Sequence, residues 1–426
     1  MRDDLLARHR AALPRWLAMY HEPPLELVRG QGRTVWDADG TEYLDFFGGI
    51  LTTIVGHSIP ELNEAVHAQL DRIWHTSTLY LIRNQVELAE ELVSLVPIPD
   101  AKAFFVNSGS EANEAALLMA CCARSSTQVL AVRNSYHGRT FGAMAVTGNR
   151  FWSASAATPL HVTYVHGGYR YRSPFRGLDD AGYVDACTDD LRQLLDMSTT
   201  GPVAAMIAEP IQGVGGFAVA PPGMFSAFRK VLDESGILLI ADEVQTGLGR
   251  TGETFWGIEA DGVVPDLMTM AKGLGNGLAI GAVVGRAEIV DSISASSIST
   301  FGGNPVATAG ALAVLRYIRR HDLQGNARDQ GARMRRRLDA LAVEHDAIGE
   351  VRGKGLMQAL ELVHPDRSPD AAAAAAVQEA SRRAGLLIGK GGLYGNVLRI
   401  TPPLTVTADE VDAATSRLAD AFATLI

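Results

Sequence analysis

The sequence predicts an α/β protein. A large domain is expected around a mostly parallel sheet covered by helices, with a small α+β domain built from the N- and C-terminal segments. Three observations predict this. Short, largely apolar runs (KAFFV, QVLAV, AAMIA, ILLIA, DLMTM) alternate with helical patterns through the middle of the chain, as strands buried on both faces do. The chain has 426 residues, 47% of them hydrophobic, enough for two domains. Beyond Asn304-Pro305 and its helix the pattern changes to mixed helix and strand pieces.

Taken in order, residues 1–55 are expected to belong to the small domain, with strand pieces at Thr34–Asp37 and Tyr43–Phe46. The large domain is expected over 56–320. Lys102–Val106 reads as a strand, followed by a helix from Glu111 to Ala123 and a strand at Gln128–Val132. Further strands are expected at Ala204–Ala208, Ile237–Ala241 and Asp266–Met270, with a helix from Gly223 to Glu234 among them. The helix after Asn304-Pro305 should run to Arg320. Residues 321–426 should form the rest of the small domain, with strands at Gly355–Leu362, Leu386–Gly389 and Val397–Ile400 and a final helix. The alanine run Ala371–Ala376 follows Ser368-Pro369-Asp370. Ser as N-cap and Pro at the first helical position make it a helix start.

The formal net charge is -10, which argues against a nucleic-acid binder, since that role needs clustered cations. The main basic cluster, Arg333, Arg335, Arg336 and Arg337, reads as a solvated helix face. Cys121, Cys122 and Cys187 lack metal-ligand spacing and read as reduced packing residues of a cytoplasmic protein. The opening MRDDLLARHRAALPRW lacks the apolar core of a signal peptide. No apolar run approaches the roughly 20 residues of a membrane span.

Ligands in open α/β sheets bind beyond the carboxyl ends of strands, so the residues after each strand carry the argument. Asn107-Ser108-Gly109-Ser110 leads directly into a helix, where free amides and the helix dipole suit an anion. A plain N-capped helix is the alternative reading. After AVRN comes Ser135-Tyr136-His137-Gly138, whose tyrosine could stack on a flat ring or simply fill core. Asp242, after ILLIA, would be costly to bury without a cationic or hydrogen-bonded partner, and a protonated ring nitrogen is one such partner. Strand-end aspartates also serve magnesium and nucleotide sites, but no GxxxxGK[ST] loop accompanies this one. Lys272, after DLMTM and before Gly273-Leu274-Gly275, can lose solvation and lower its pKa, as a Schiff-base lysine requires. A surface lysine in a loop is the bland alternative. Together the four segments offer an anion cradle, a ring face, an acid for a ring nitrogen and an amine, the four requirements of pyridoxal phosphate.

The segments VNSGSEAN, SYHGRT, IAEPIQG, LLIADEVQTGLGRTG, MAKGLGNG and STFGGNP resemble the class III aminotransferases, a fold-type-I family dependent on pyridoxal 5'-phosphate. The likeness runs from YLDFFGGI to LRITPPLT, and IWHTSTLY, EPIQGVGG, VRGKGLM and GLLIGKGG resemble the branch holding alanine–glyoxylate aminotransferase 2 and phosphoethanolamine phospholyases. The resemblance implies a Schiff base on Lys272, with Asp242 on the ring nitrogen and Gln245 on the phenolic oxygen. It implies phosphate contacts from Ser108, Gly109 and Ser110, with Tyr136 stacked on the ring. It places His137 in the cofactor site and has Glu209 help position the neighbouring site residues. Thr300 would reach the cofactor phosphate of the other subunit, which implies a homodimer. Arg399 matches the arginine that takes substrate carboxylate in many members. Val214 stands where ornithine- and GABA-type members carry a glutamate that pairs with it, so Arg399 should be free or paired differently. Ile50 replaces a tyrosine of ornithine-type members, and Trp74 and Tyr80 are candidate pocket residues.

The implied reaction is a ping-pong amino transfer from an amino acid or amine to a keto acid such as pyruvate or glyoxylate, with no metal, nucleic acid or membrane involved. Elimination of phosphate from an amino-alcohol phosphate uses the same apparatus and remains open. A non-catalytic relative would lack Lys272 or Asp242, and both are present.

Overall fold

The computed structural model describes residues 2–17, 19–155 and 157–425. The apolar runs of the middle region form one seven-stranded sheet, in the spatial order Ala101–Val106, Gly281–Arg286, Leu267–Met270, Leu238–Asp242, Ala205–Ala208, Gln128–Val132 and His161–Val165. Every pairing is parallel except those of Gly281–Arg286, which runs against both neighbours. Strands Ala205–Ala208 and Leu267–Met270 are buried along their whole length. This is why they read as largely apolar runs rather than alternating ones.

Helices cover both faces. Helix Gly109–Arg124 packs on Leu267–Met270 and Gly281–Arg286, with Ala112, Ala116 and Ala120 fully buried. Its small side chains let the backbone approach the sheet. Ser108 caps it by accepting from the Glu111 amide at 3.2 Å, and Glu111 reaches back to the Asn107 amide at 3.1 Å. On the larger core, helices Asp180–Ser198 and Met224–Ser235 pack against each other. Helix Pro305–Arg320 begins as its sequence requires, with Pro at the first turn and Asn304 accepting from the Val306 and Ala307 amides.

Two smaller sheets flank this body. Strands Ile348–Lys354, Met357–Leu362, Val397–Ile400 and Gly389–Gly391 form an antiparallel sheet. The N-terminal strands Leu27–Gln31, Thr34–Asp37 and Glu42–Asp45 form a meander whose last strand pairs in parallel with Leu386–Leu387. The two chain ends therefore share one sheet. No helix among the described residues is long and apolar enough to cross a membrane.

Three sequence expectations need correction. The helix after Ser368-Pro369 starts two residues later than expected, at Ala371, and its N-cap is Asp370, which accepts from the Ala373 amide at 2.8 Å. Ser368 is not available because its hydroxyl bonds Asp366. Cys122 is exposed rather than packed, since it lies on the outer side of its helix, while Cys187 is buried and all three thiols are free. The arginine cluster is not merely solvated: Arg333 and Arg337 both pair with Asp412 on the last helix, tying the two helices together.

The chain after Asp45 makes an unusual turn. Gly48, Gly49, Ile50 and Leu51 all have positive φ, at 56°, 57°, 67° and 61°. A β-branched residue such as Ile50 in this region costs on the order of 1–2 kcal/mol. Asp45 holds the turn, accepting from the Phe47 and Gly48 amides at 3.1 and 2.8 Å and meeting His57 Nε2 at 2.9 Å.

The corrected cap is testable. Asp370→Ala is expected to destabilise the protein by about 1 kcal/mol, read as a lowered urea midpoint. Ser368→Ala should leave the midpoint unchanged within error.

Candidate active site

Because the strands carrying them are mutually parallel, the residues after Val106, Val132, Ala208, Leu238–Asp242 and Met270 emerge at one edge of the sheet. There Asp242 ends its strand directly opposite Thr269. Its carboxylate is 4% exposed, and burying a charge this far demands partners. Oδ2 accepts from Asn113 Nδ2 at 2.7 Å and meets His137 Nδ1 at 2.7 Å. Oδ1 accepts only the Val244 amide, at 3.1 Å. The 2.7 Å approach of Nδ1 to a carboxylate places the imidazole proton on Nδ1. His137 Nε2 is left buried without a partner.

Asn113 is fixed in turn. Its amide nitrogen also donates to the His137 carbonyl at 2.7 Å, and its oxygen accepts from Thr269 Oγ1 at 2.7 Å. Sequence reasoning named neither Asn113 nor Thr269 as a site residue. The signals were present: Asn113 lies four residues after Gly109, on the helix face turned to the sheet, and Thr269 is a polar interruption of a buried apolar strand.

Lys272 follows Met270 by two residues and has φ of 43°, a left-handed conformation seldom adopted by a lysine. The residue is partly exposed although its amine is largely enclosed by protein, and its side chain makes no hydrogen bond to any described residue. Loss of water pushes the amine down to about 8, against the opposing pull of Asp242 and Glu209, with Arg399 lowering it further. The structure therefore brings these four ionisable groups within each other's field.

Glu209 closes the floor of the site. Oε1 accepts the Tyr136 amide at 2.9 Å and Oε2 the Gly213 amide at 2.8 Å. Burial pushes its carboxyl up to about 7, with His137 opposing and Asp242 reinforcing the rise. The half-buried Tyr136 ring meets Trp152 edge-on, with centroids 5.8 Å apart. Gln245 lies over Gly213, where a Cβ would fall 2.3 Å from its amide, and its side-chain oxygen is buried without a partner.

Gly109 and Ser110 open their helix, so their amides have no carbonyl to pair with inside it. The loop bearing Tyr136 comes down on them: Ser110 Oγ accepts the Arg139 amide at 3.1 Å, and Gly138, with φ of 137°, sits so close that a Cβ would lie 2.5 Å from that oxygen.

Arg399 lies on the strand Val397–Ile400 of the small sheet and is 2% exposed. It has no acidic partner among the described residues. Nη2 donates to the Lys390 carbonyl at 2.9 Å and to Tyr20 Oη at 3.4 Å, while Nε and Nη1 are buried and unpartnered. Val214 contributes only its carbonyl, which accepts the Gly392 amide at 2.9 Å.

Trp74 and Tyr80, expected in the pocket, lie apart from this cluster, as does Thr300, which was expected to serve the other subunit's site. Thr300, Trp74 and Tyr80 are exposed and make no hydrogen bond or ring contact with it. Ile50 is also exposed, on the left-handed turn.

The residues present fit pyridoxal phosphate. Asp242 Oδ1 retains acceptor capacity, the amides of Gly109 and Ser110 are free for an anion, the Gln245 amide nitrogen donates to no described residue and so can serve a phenolic oxygen, and Lys272 offers an amine without a partner among the described residues. Each orphan is a cost to the empty fold, and together they match the functional groups of one molecule.

Comparison with known proteins agrees. The family model described as aminotransferase class-III matches residues 18–422. The chain is 41% identical to the mitochondrial alanine–glyoxylate aminotransferase 2 homolog 2 of Arabidopsis thaliana, over 96% of this chain and 85% of that one. An amine transaminase from an uncultivated Pseudomonas species, solved with PLP bound, superposes with a TM-score of 0.89 at 33% identity, covering 97% of this chain and 98% of that one. A phospholyase from Arthrobacter, in complex with phosphoethanolamine, gives a TM-score of 0.91 at 34% identity, covering 99% and 100%.

The depressed Lys272 amine sets a pH dependence for the protein freed of cofactor. Below about pH 8 the buried amine is protonated and its burial cost is fully present. Between about 8 and the ordinary 10.5 the unfolded chain binds the extra proton, so the cost fades as pH rises. Lys272→Met should therefore raise the melting temperature of the apoprotein at pH 7, with the gain shrinking toward pH 10. A gain independent of pH would place the lysine in water.

Proposed function

The chain belongs to the class III aminotransferases, and from that membership we propose how its residues divide the work. It is an aminotransferase that uses pyridoxal 5'-phosphate to move an amino group from an amino acid or ω-amine to a keto acid or aldehyde by a ping-pong mechanism. The observation that carries our assignment is Lys272. It is an unpaired amine in a strained backbone position, within the field of two buried acids and Arg399.

The cofactor, when bound, supplies the electron sink that lets a proton leave the substrate's Cα. Lys272 Nζ would hold the cofactor covalently and is the base that would carry that Cα proton. Its pKa near 8 leaves a useful neutral fraction at physiological pH. Asp242, held by Asn113 and His137, keeps a proton on the cofactor's ring nitrogen through Oδ1. Gln245 serves the phenolic oxygen, and Ser108, Gly109 and Ser110 hold the phosphate. Tyr136 covers one ring face, and Glu209 fixes the Tyr136 loop against the Gly213 turn.

Arg399 binds substrate carboxylate. A buried guanidinium without a counter-ion is costly, and a carboxylate would supply the missing charge. Because no glutamate competes for it, small keto acids such as pyruvate or glyoxylate fit as acceptors. Ile50 borders this pocket from its left-handed turn.

A homodimer accounts for the residues that lie outside the cluster. Trp74, Leu79, Tyr80 and Leu81 form an exposed apolar stretch, with Leu81 97% exposed. His75 joins it to Phe301 by a ring contact of 5.3 Å. A soluble monomer rarely leaves such a surface open. In our reading a second copy covers it, carrying Thr300 to the neighbouring phosphate and Trp74 and Tyr80 to the neighbouring pocket. The division into 1–55, 56–320 and 321–426 follows from the shared sheet of the chain ends, and the free thiols suit the cytoplasm.

Supplying an amino donor without keto acid should yield one equivalent of carbonyl product per subunit and then stop, and pyruvate or glyoxylate should restart it. Continuous release of ammonia and phosphate from phosphoethanolamine would instead favour a lyase, the reading that the Arthrobacter neighbour keeps open. Lys272→Ala should abolish turnover, and Asp242→Ala should lower kcat by at least about a hundredfold. In sedimentation the wild type should run as a dimer, whereas Leu81→Arg should yield monomer with weakened cofactor retention.

A further inference from the structure

Arg399 is held without any ion pair, so something else must fix its direction. Four groups surround the guanidinium: the Lys390 carbonyl, the Tyr20 hydroxyl, and the rings of Phe47 and Phe217, whose centroids lie 5.2 and 5.6 Å from its central carbon. Three of the four are closely fixed. Lys390 belongs to a sheet strand, and Phe217 is fully buried. Phe47 is pressed onto Gly389, where a Cβ would lie 2.1 Å from the ring.

Tyr20 differs, because it comes from the N-terminal segment, outside every sheet. Its ring packs on Phe47 with centroids 5.4 Å apart and planes at 30°. Its hydroxyl donates to the Lys390 carbonyl at 3.2 Å and accepts from Arg399 Nη2 at 3.4 Å, closing a triangle with the 2.9 Å bond between those two. The next residue anchors the segment: His21 Nδ1 lies 3.3 Å from Glu379 Oε2 on helix Ala371–Arg383.

We propose that Tyr20 is a positioning residue for Arg399, fixing the guanidinium so that its unpaired N–H groups face the substrate. The proposal rests on the reading of Arg399 as the carboxylate site. The two aromatic rings near the guanidinium do not fix its direction, since neither offers a directional bond. The in-plane direction is set by hydrogen bonds at Nη2, and Tyr20 supplies one of the two. Without it Arg399 keeps the Lys390 carbonyl and pivots about that bond. The affinity of the enzyme for carboxylates is thus set partly by a residue 379 positions away in the chain.

The test is the affinity of the holoenzyme for propionate, a carboxylate with no amine or carbonyl to react, measured by calorimetry. Tyr20→Phe keeps the ring stack and removes only the hydroxyl, and should weaken propionate binding by about three- to tenfold. The KM for pyruvate should rise by the same factor, with kcat and the bound-cofactor absorbance unchanged. Arg399→Gln should weaken propionate by at least about thirtyfold, and adding Tyr20→Phe to it should have no further effect. If Arg399→Gln weakens binding but Tyr20→Phe stays within twofold of wild type, the role of Tyr20 is refuted while the carboxylate reading stands. Equal losses from Tyr20→Phe in both backgrounds would also refute it, by showing an effect independent of Arg399. If Arg399→Gln leaves propionate unaffected, the carboxylate reading itself fails and Tyr20 falls with it.

Discussion

The site depends on fixing one buried carboxyl group where almost no water reaches it. Asp242 achieves this with two 2.7 Å contacts to one oxygen, from Asn113 and His137. Hydrogen bonds to a charged group contribute roughly 1.5–3 kcal/mol each, enough to offset much of the desolvation cost. Because both fall on Oδ2, Oδ1 is left to face the pocket. The same contacts join the helix Gly109–Arg124, the His137 loop and the two central strands, so the fixed acid also locks the anion cradle to the ring face.

The sheet topology explains why so few residues suffice. Parallel strands deliver their following loops to one edge, and small residues let those loops close on each other. Gly138 allows the Tyr136 loop to touch Ser110, and Gly213 allows Gln245 to lie flat over the turn that Glu209 holds. In both places a Cβ would overlap a site residue, which would have to move. Arg399 approaches from the small sheet, a part of the molecule built separately from the strands that carry Asp242 and Lys272.

Much of this was legible in the sequence, and for a physical reason. Strands buried on both faces are largely apolar, so Gln128–Val132 was read to the residue, as was Val397–Ile400, where Arg399 interrupts an otherwise apolar run. The chemistry-bearing residues follow such strands directly, which made Asp242 and Lys272 conspicuous. Gly281–Arg286 escaped because glycines at both ends of GAVVGR shorten its apolar core to three residues. The helix cap was misplaced because Ser368 and Asp370 have the same local credentials, and only the competing bond to Asp366 decides between them. Asn113, Thr269 and Tyr20 act through partners distant in sequence, and no local pattern announces such contacts. The departure at Val214 was read correctly as freeing Arg399 from an acid, yet its replacements, a carbonyl and a phenol, were beyond sequence reasoning.

The pairing of Glu42–Asp45 with Leu386–Leu387 has a consequence for how the chain matures. Strand Glu42–Asp45 lacks its parallel neighbour until Leu386–Leu387 has been synthesised, and Arg33 waits for Glu410, 377 positions later. During that interval an unpaired strand edge is exposed, a hazard for association with other nascent chains. The large sheet, complete by Arg286, can form first and serve as the scaffold on which the two ends are finally brought together. A truncated transcript would therefore yield a protein with an organised centre and a ragged, sticky margin, the kind of species that chaperones and proteases recognise.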